Sequence, residues 1–143
     1  MSFENVNHHT VSVPAAADLT TKQFYAVKVD NTGKAALAGA GEFAIGILQN
    51  KPNSGQPGTV AWGGITKALA GGSITAGATV AVNSDGKLVD ATEAKIASLD
   101  GNAATNVGIT ASNVIGVALA GASSGDVFPV LLLIAGATPT TAA

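Results

Sequence analysis

The sequence predicts an all-β fold, a small β-barrel or β-sandwich of the β-tulip kind, and three observations predict it. Short runs that alternate apolar and polar residues recur between clusters of Gly, Pro, Asn and Asp, which is the pattern of half-buried strands joined by turns. The pattern is also written twice. Ile74 to Val82, the turn Ser84-Asp85-Gly86-Lys87 and Val114-Ile115-Gly116-Val117 echo Leu19 to Val27, Asn31-Thr32-Gly33-Lys34 and Ala44-Ile45-Gly46-Ile47. Two related β-units packed into one body are expected, because one such unit cannot cover its own apolar face. Thirdly, a single segment carries helix signals: in Asp90 to Leu99, Asp90 is placed to cap, Glu93 follows three residues on, and Ile96 and Leu99 share a face. One short helix is expected there.

Taken in order, residues 1–17 read as an extended N-terminal arm, polar and then Ala-rich, with His8-His9 and the alternation Thr10-Val11-Ser12-Val13 before Pro14. Residues 18–135 read as the β-rich domain, and 136–143 as a flexible C-terminal tail. Phe24 to Val29 is a strand with Tyr25, Val27 and Val29 on one face, closed by the turn Asp30 to Lys34. Phe43 to Leu48 is a second, and Gly46 within it admits a close neighbouring backbone or a bulge. Lys51 to Gly58 is a surface loop dense in turn residues. Thr59 to Trp62 and Ile65 to Leu69 are strands around Gly63-Gly64, and Gly71-Gly72 opens the second unit. Asp85-Gly86, between Val80-Ala81-Val82 and Leu88-Val89, predicts a type I′ hairpin. The expected core holds Phe24 or Tyr25, Val27, Phe43, Ile45, Ile47, Val80, Val82, Ile115, Val117, Val127, Leu131 and Leu133, the two faces of each strand being undecided.

Composition narrows the function. Of 143 residues, 11% are charged, against roughly 25% in ordinary soluble proteins, and so sparse a charge reads as the exterior of an assembled protein. The chain has no arginine, seven lysines scattered along it and a net charge of −2. The clustered cations that displace counterions from phosphates are missing, so nucleic-acid binding is not expected. The lack of cysteine excludes disulfides and thiolate metal sites. Met1 to Asn5 has neither a basic start nor an apolar stretch, so no secretory signal is read there. The longest apolar run, Val127 to Ala137, is about half the roughly 20 residues that a membrane-spanning helix needs, and contains Pro129.

The second unit supplies a resemblance. Ala76-Gly77-Ala78-Thr79-Val80, Ser84-Asp85-Gly86-Lys87-Leu88, Val114-Ile115-Gly116-Val117-Ala118, Ala122 to Val127 and Val130-Leu131-Leu132-Leu133 stand in the order found in the small capsid cement, or head-decoration, proteins of tailed bacteriophages, which this chain resembles. The match is best over residues 73–134 and extends through the internal echo to 18–65; the arm and the 51–58 loop depart from it. The resemblance implies a virion protein on the outer surface of the capsid, with the major capsid protein as partner. Such proteins act commonly as homotrimers that brace capsomer junctions of an expanded shell against the pressure of packaged DNA. A virion-displayed β-sandwich that binds carbohydrate or a host surface, or a tail or fibre component, is the alternative.

Four apolar residues are the candidates for a capsid or subunit interface: Phe3, Val11 and Val13 in the arm, and Trp62. The arm, about 56–61 Å long if fully extended, is suited to adding a strand to an exposed sheet edge, and its removal is expected to leave the fold intact. Trp62, the single tryptophan, reads first as a core residue and second as an interface anchor. No catalytic constellation is read. The nine acids offer no preferred pair, and nucleophilic catalysis needs a Ser or Thr held beside a base, whereas both histidines lie in the extended arm. His8 and His9 point to opposite sides of an extended segment without further ligands at metal spacing. Asp85, Asp90 and Glu93 lack the order of a calcium loop, so neither metal nor cofactor is expected. Lys87 after Asp85-Gly86 invites comparison with carrier domains of the lipoyl type, but lacks the residues that flank a modified lysine.

Overall fold

Among the described residues nine antiparallel strands make up the fold, β1 (His9–Pro14), β2 (Ala26–Val29), β3 (Ala35–Leu37), β4 (Gly46–Leu48), β5 (Pro57–Leu69), β6 (Thr79–Val82), β7 (Leu88–Asp90), β8 (Asn113–Ala118) and β9 (Val127–Ala137). The structure, a computed structural model, describes residues 9–91 and 113–137, of which 134–137 by backbone alone. The strand order is β3-β2-β4-β5-β9-β8-β6-β7, with β1 laid beside β5. No helix occurs among the described residues. Asp90, read as a helix cap, ends β7 and accepts a hydrogen bond from the Thr75 N–H at 3.1 Å; the rest of the expected helix lies outside the described residues.

The sequence echo is a repeat of hydrogen bonds. In the first unit β2 pairs with β3 and β4, and β4 with β5; in the second β6 pairs with β7 and β8, and β8 with β9. The connecting loops share several bonds. Leu19 N–H donates to Pro52 O as Ile74 N–H does to Ala122 O, and Gly55 N–H donates to Ala15 O as Gly125 N–H does to Ala70 O. Strand β5 belongs to both units. Its first half closes the first against β1, and its second half opens the next by pairing with β9. The two strands expected around Gly63-Gly64 are therefore one continuous strand.

Each unit also repeats its turn chemistry. Asp30 Oδ1 accepts from the Thr32 and Lys34 N–H groups, and Asn83 Oδ1 from the Asp85 and Lys87 N–H groups. Of Asp85 and Gly86 only Gly86 has a positive φ (79°), so the expected type I′ turn, which needs two such residues, does not form. Asn83 takes the first position instead, its carbonyl receiving the Gly86 N–H at 3.2 Å. The bonds from the Lys34 N–H and from the Thr32 hydroxyl and N–H hold the Asp30 carboxyl below its ordinary value of 3.8. Its contribution to stability is thus complete above that pH and fades as pH falls through the lower folded value. Asp30→Asn, which copies Asn83, should keep all three acceptances and flatten the loss of stability between about pH 5 and pH 2, as measured by urea unfolding across that range.

The sheet curls until its distant strands touch. Ala26 N–H on β2 donates to Gly86 O in the β6–β7 turn (2.8 Å), and Leu69 N–H on β5 donates to Phe24 O (3.0 Å). Inside the curl lies the larger core, which joins Ile47 and Ala61 of the first unit to Val82, Leu88, Ile115, Phe128 and Leu132 of the second. A smaller core of Val27, Leu48 and Val60 occupies the opposite face, covered by Ala15 and Leu19. Neighbours in sequence such as Ile47 and Leu48 are consequently both buried.

That arrangement corrects several expected core positions. Phe43 is 53% exposed, Val127 is exposed and Leu133 is 51% exposed; Ile45, Val117, Leu131, Phe24 and Tyr25 are half-buried. On β9 the inward set is Phe128, Val130 and Leu132, the opposite phase to the one expected. Residues 9–14 are extended as expected, but the sheet edge they fill is the chain's own β5, and the following Ala15 is fully buried. Removing residues 2–17 would strip β1 and uncover the smaller core, so the truncation is expected to destabilise the fold rather than leave it intact.

Candidate functional site

The β1 edge gathers three of the four residues singled out as interface candidates. Val11 pairs with Val60 and Val13 with Gly58 across the β1–β5 ladder, while Phe3 lies outside the described residues. Among the described residues β1 pairs on one side only, which leaves a row of backbone donors and acceptors on the other. Neither β1 nor the part of β5 that it covers carries a charge. A bulge at its start and Pro14 at its end blunt this edge, and the uncharged, β-branched run Thr10 to Val13 between them is the part that could template an added strand.

Trp62 owes its position to a bulge. His9 pairs with Gly63 and the next residue, Thr10, with Ala61, so Trp62 is the extra residue of β5 with no partner. A bulge leaves its extra residue outside the ladder and re-aims the side chain, and the indole is 47% exposed, against the core role first expected for it. It stacks on the His9 ring at 4.9 Å between centroids and 19° between planes. The lack of a side chain at Gly63 makes room, since a Cβ there would stand 3.2 Å from His9 Cδ2. Val11, 42% exposed, completes an apolar ridge with an aromatic end. Such a ridge offers rigid area with little side-chain entropy to lose, the property of binding anchors.

A second feature went unread in the sequence because it joins distant residues. Lys22, Tyr25 and Leu37 of the first unit face Ser84, Asp85 and Lys87 of the second across an open groove of about 300 Å³. The Lys22 and Lys87 ammonium groups lie 4.9 Å and 5.9 Å from the centre of the Tyr25 ring. Among the described residues no group of three or more metal-ligating side chains comes together. The ion pair Lys28–Glu42, at 2.7 Å, lies on the surface, and with the Gly39 N–H it holds the Glu42 carboxyl below its ordinary value.

No protein-family model matches the chain, and no curated protein matches its sequence. Among solved structures, its fold is similar to the N base of the head fibre gp8.5 of bacteriophage phi29, with a TM-score of 0.57 and 14% identity, over 90% of this chain and 96% of that one. At that identity the likeness is one of fold.

Proposed function

We propose that this chain is a structural protein of a phage head, a cement or decoration protein that binds the outer surface of the shell and braces its capsomer junctions. The observation that carries the proposal is the fold shared with the base of a phage head fibre over 90% of the chain. The order of strand, hairpin and Ile-Gly-Val motifs, seen independently in the sequence, supports it. The role is structural rather than catalytic, with the major capsid protein as partner and a homotrimer as the assembly. Three copies that each make a modest contact with one shell bind far more tightly than one, by about 10²- to 10⁴-fold where the geometry allows all three. The contact surface in this proposal is the β1 edge, with Val11, Val13 and Trp62 seated against a shell subunit.

Light scattering of the purified protein, followed by sedimentation with expanded, undecorated shells, tests the proposal. Trimers that co-pellet to saturation and raise the melting temperature of the shells are the expected result. A monomer that ignores shells would refute it. Trp62→Ala should weaken shell binding by about 2 kcal/mol, the scale of a central aromatic anchor, with an unchanged unfolding curve. The likeness to a head-fibre base favours one other reading, in which the domain seats a projecting fibre. In that case the protein co-pellets but leaves the melting of the shells where it was.

A further inference from the structure

We propose that the groove between Lys22, Tyr25 and Lys87 is a carboxylate-binding site, and that its occupant is an acidic loop of the shell subunit on which the protein sits. The identity of the occupant rests on the head-surface reading; the chemistry of the groove does not. Two of the chain's seven lysines converge on one aromatic ring, and neither ammonium makes an ion pair among the described residues. A carboxylate seated between them meets two positive charges, with the ring and Leu37 as an apolar wall. Asp85 also lines the groove, and its negative charge opposes multiply charged anions such as phosphate while a singly charged carboxylate is repelled less.

The site is not a by-product of the repeat. The turn bond from Tyr25 N–H to Lys22 O has its counterpart in Ala78 N–H to Thr75 O, so the second unit carries Thr and Ala where the first carries Lys and Tyr. Between them the contrast is sharper. Phe24 and Gly77 make equivalent hydrogen bonds, to Leu48 O and Ala118 O, and both have a positive φ, 69° and 82°. Glycine adopts that conformation freely, whereas in a bulky residue it is strained, and such strain concentrates at functional positions. Phe24 packs on the larger core, and the strained turn there delivers Tyr25 and Lys22 to the groove. The matching turn lysine, Lys34, belongs to the first unit's hairpin, which has no such ring facing it among the described residues, and serves as the control.

The test titrates the free protein with a short glutamate-containing peptide at low salt and follows the Tyr25 ring and lysine ε resonances by NMR. Saturable shifts that a glutamine version of the peptide does not produce are expected. Lys22→Gln with Lys87→Gln should weaken binding at least tenfold, and Lys34→Gln should leave it unchanged. Shifts that do not saturate, an equal loss in Lys34→Gln, or equal binding of inorganic phosphate at matched ionic strength would overturn the site. Shells then separate the two proposals. If the peptide binds but the native protein ignores shells, the head reading falls and the carboxylate site stands. If the double variant loses the peptide yet binds shells as well as the native protein does, the shell loop is not the occupant.

Discussion

Gly46→Ala and Gly116→Ala should each cost about 3 kcal/mol or more and leave little folded protein. The two glycines are the same position of the repeat, opposite Val27 on β2 and Val80 on β6. A Cβ on Gly46 would overlap the Ala61 carbonyl oxygen and stand 2.8 Å from its carbon and 2.9 Å from Val60 Cγ1. On Gly116 it would overlap the Leu131 carbonyl oxygen and stand 3.0 Å from Val130 Cγ2. The obstacle is the backbone of the neighbouring strand, pinned by its own ladder, so the clash cannot be relieved by a rotamer change. Gly72→Ala is the matched control. Its Cβ would meet only Val89 Cγ1 at an ordinary 3.5 Å, and its urea midpoint should move by no more than about 0.5 kcal/mol in stability. Equal loss in all three would mean that the close approach of strands at Gly46 and Gly116 is not what the fold depends on.

Phe128→Ala should destabilise by about 3–5 kcal/mol, while Trp62→Ala should change stability by less than about 1 kcal/mol. Phe128 is 1% exposed and the largest side chain of the core; in a chain with one tryptophan, one tyrosine and four phenylalanines, little else fills that volume. Trp62 stands outside the ladder on the surface. Urea unfolding of both variants, beside shell sedimentation of the second, separates the residue that holds the fold from the one proposed to use it. A Trp62→Ala protein that unfolds as easily as Phe128→Ala would return the indole to the core.

The repeat was legible because its signals are local. Turn residues, an Ile-Gly pair and short β-branched runs recur in the same order, and each fixes its own backbone irrespective of what lies beyond. Val27, Ile47, Val80, Val82 and Ile115 were placed correctly in the core from alternation. Ile115→Asp is accordingly expected to abolish folding, whereas Ile45, half-buried, should tolerate Asp better. Strand β3, Ala35–Leu37, escaped notice because three small and apolar residues carry no readable period. The inner face of β9 was misread for a related reason. Val127, Phe128, Val130, Leu131, Leu132 and Leu133 are all apolar, so alternation offers no contrast between faces.

Of the candidate site, Val11 and Val13 were legible as apolar residues of the arm and Trp62 only as the second reading of a residue first expected in the core, and their meeting on one edge was not legible. It depends on β1 folding back on β5 and on one unpaired residue turning the indole outward. The Lys22–Tyr25–Lys87 groove was invisible for the same reason, being assembled from two units separated by most of the first repeat. By itself the sequence determined the all-β class, the duplication, the places of the turns and the weakly charged exterior, since these follow from residue types and near-neighbour spacing. Only the tertiary structure decided which apolar faces are buried, that one strand belongs to both units, and which edge stays open. Those outcomes depend on which strands meet, and cross-strand pairing between distant residues is a property of the closed sheet rather than of any segment within it.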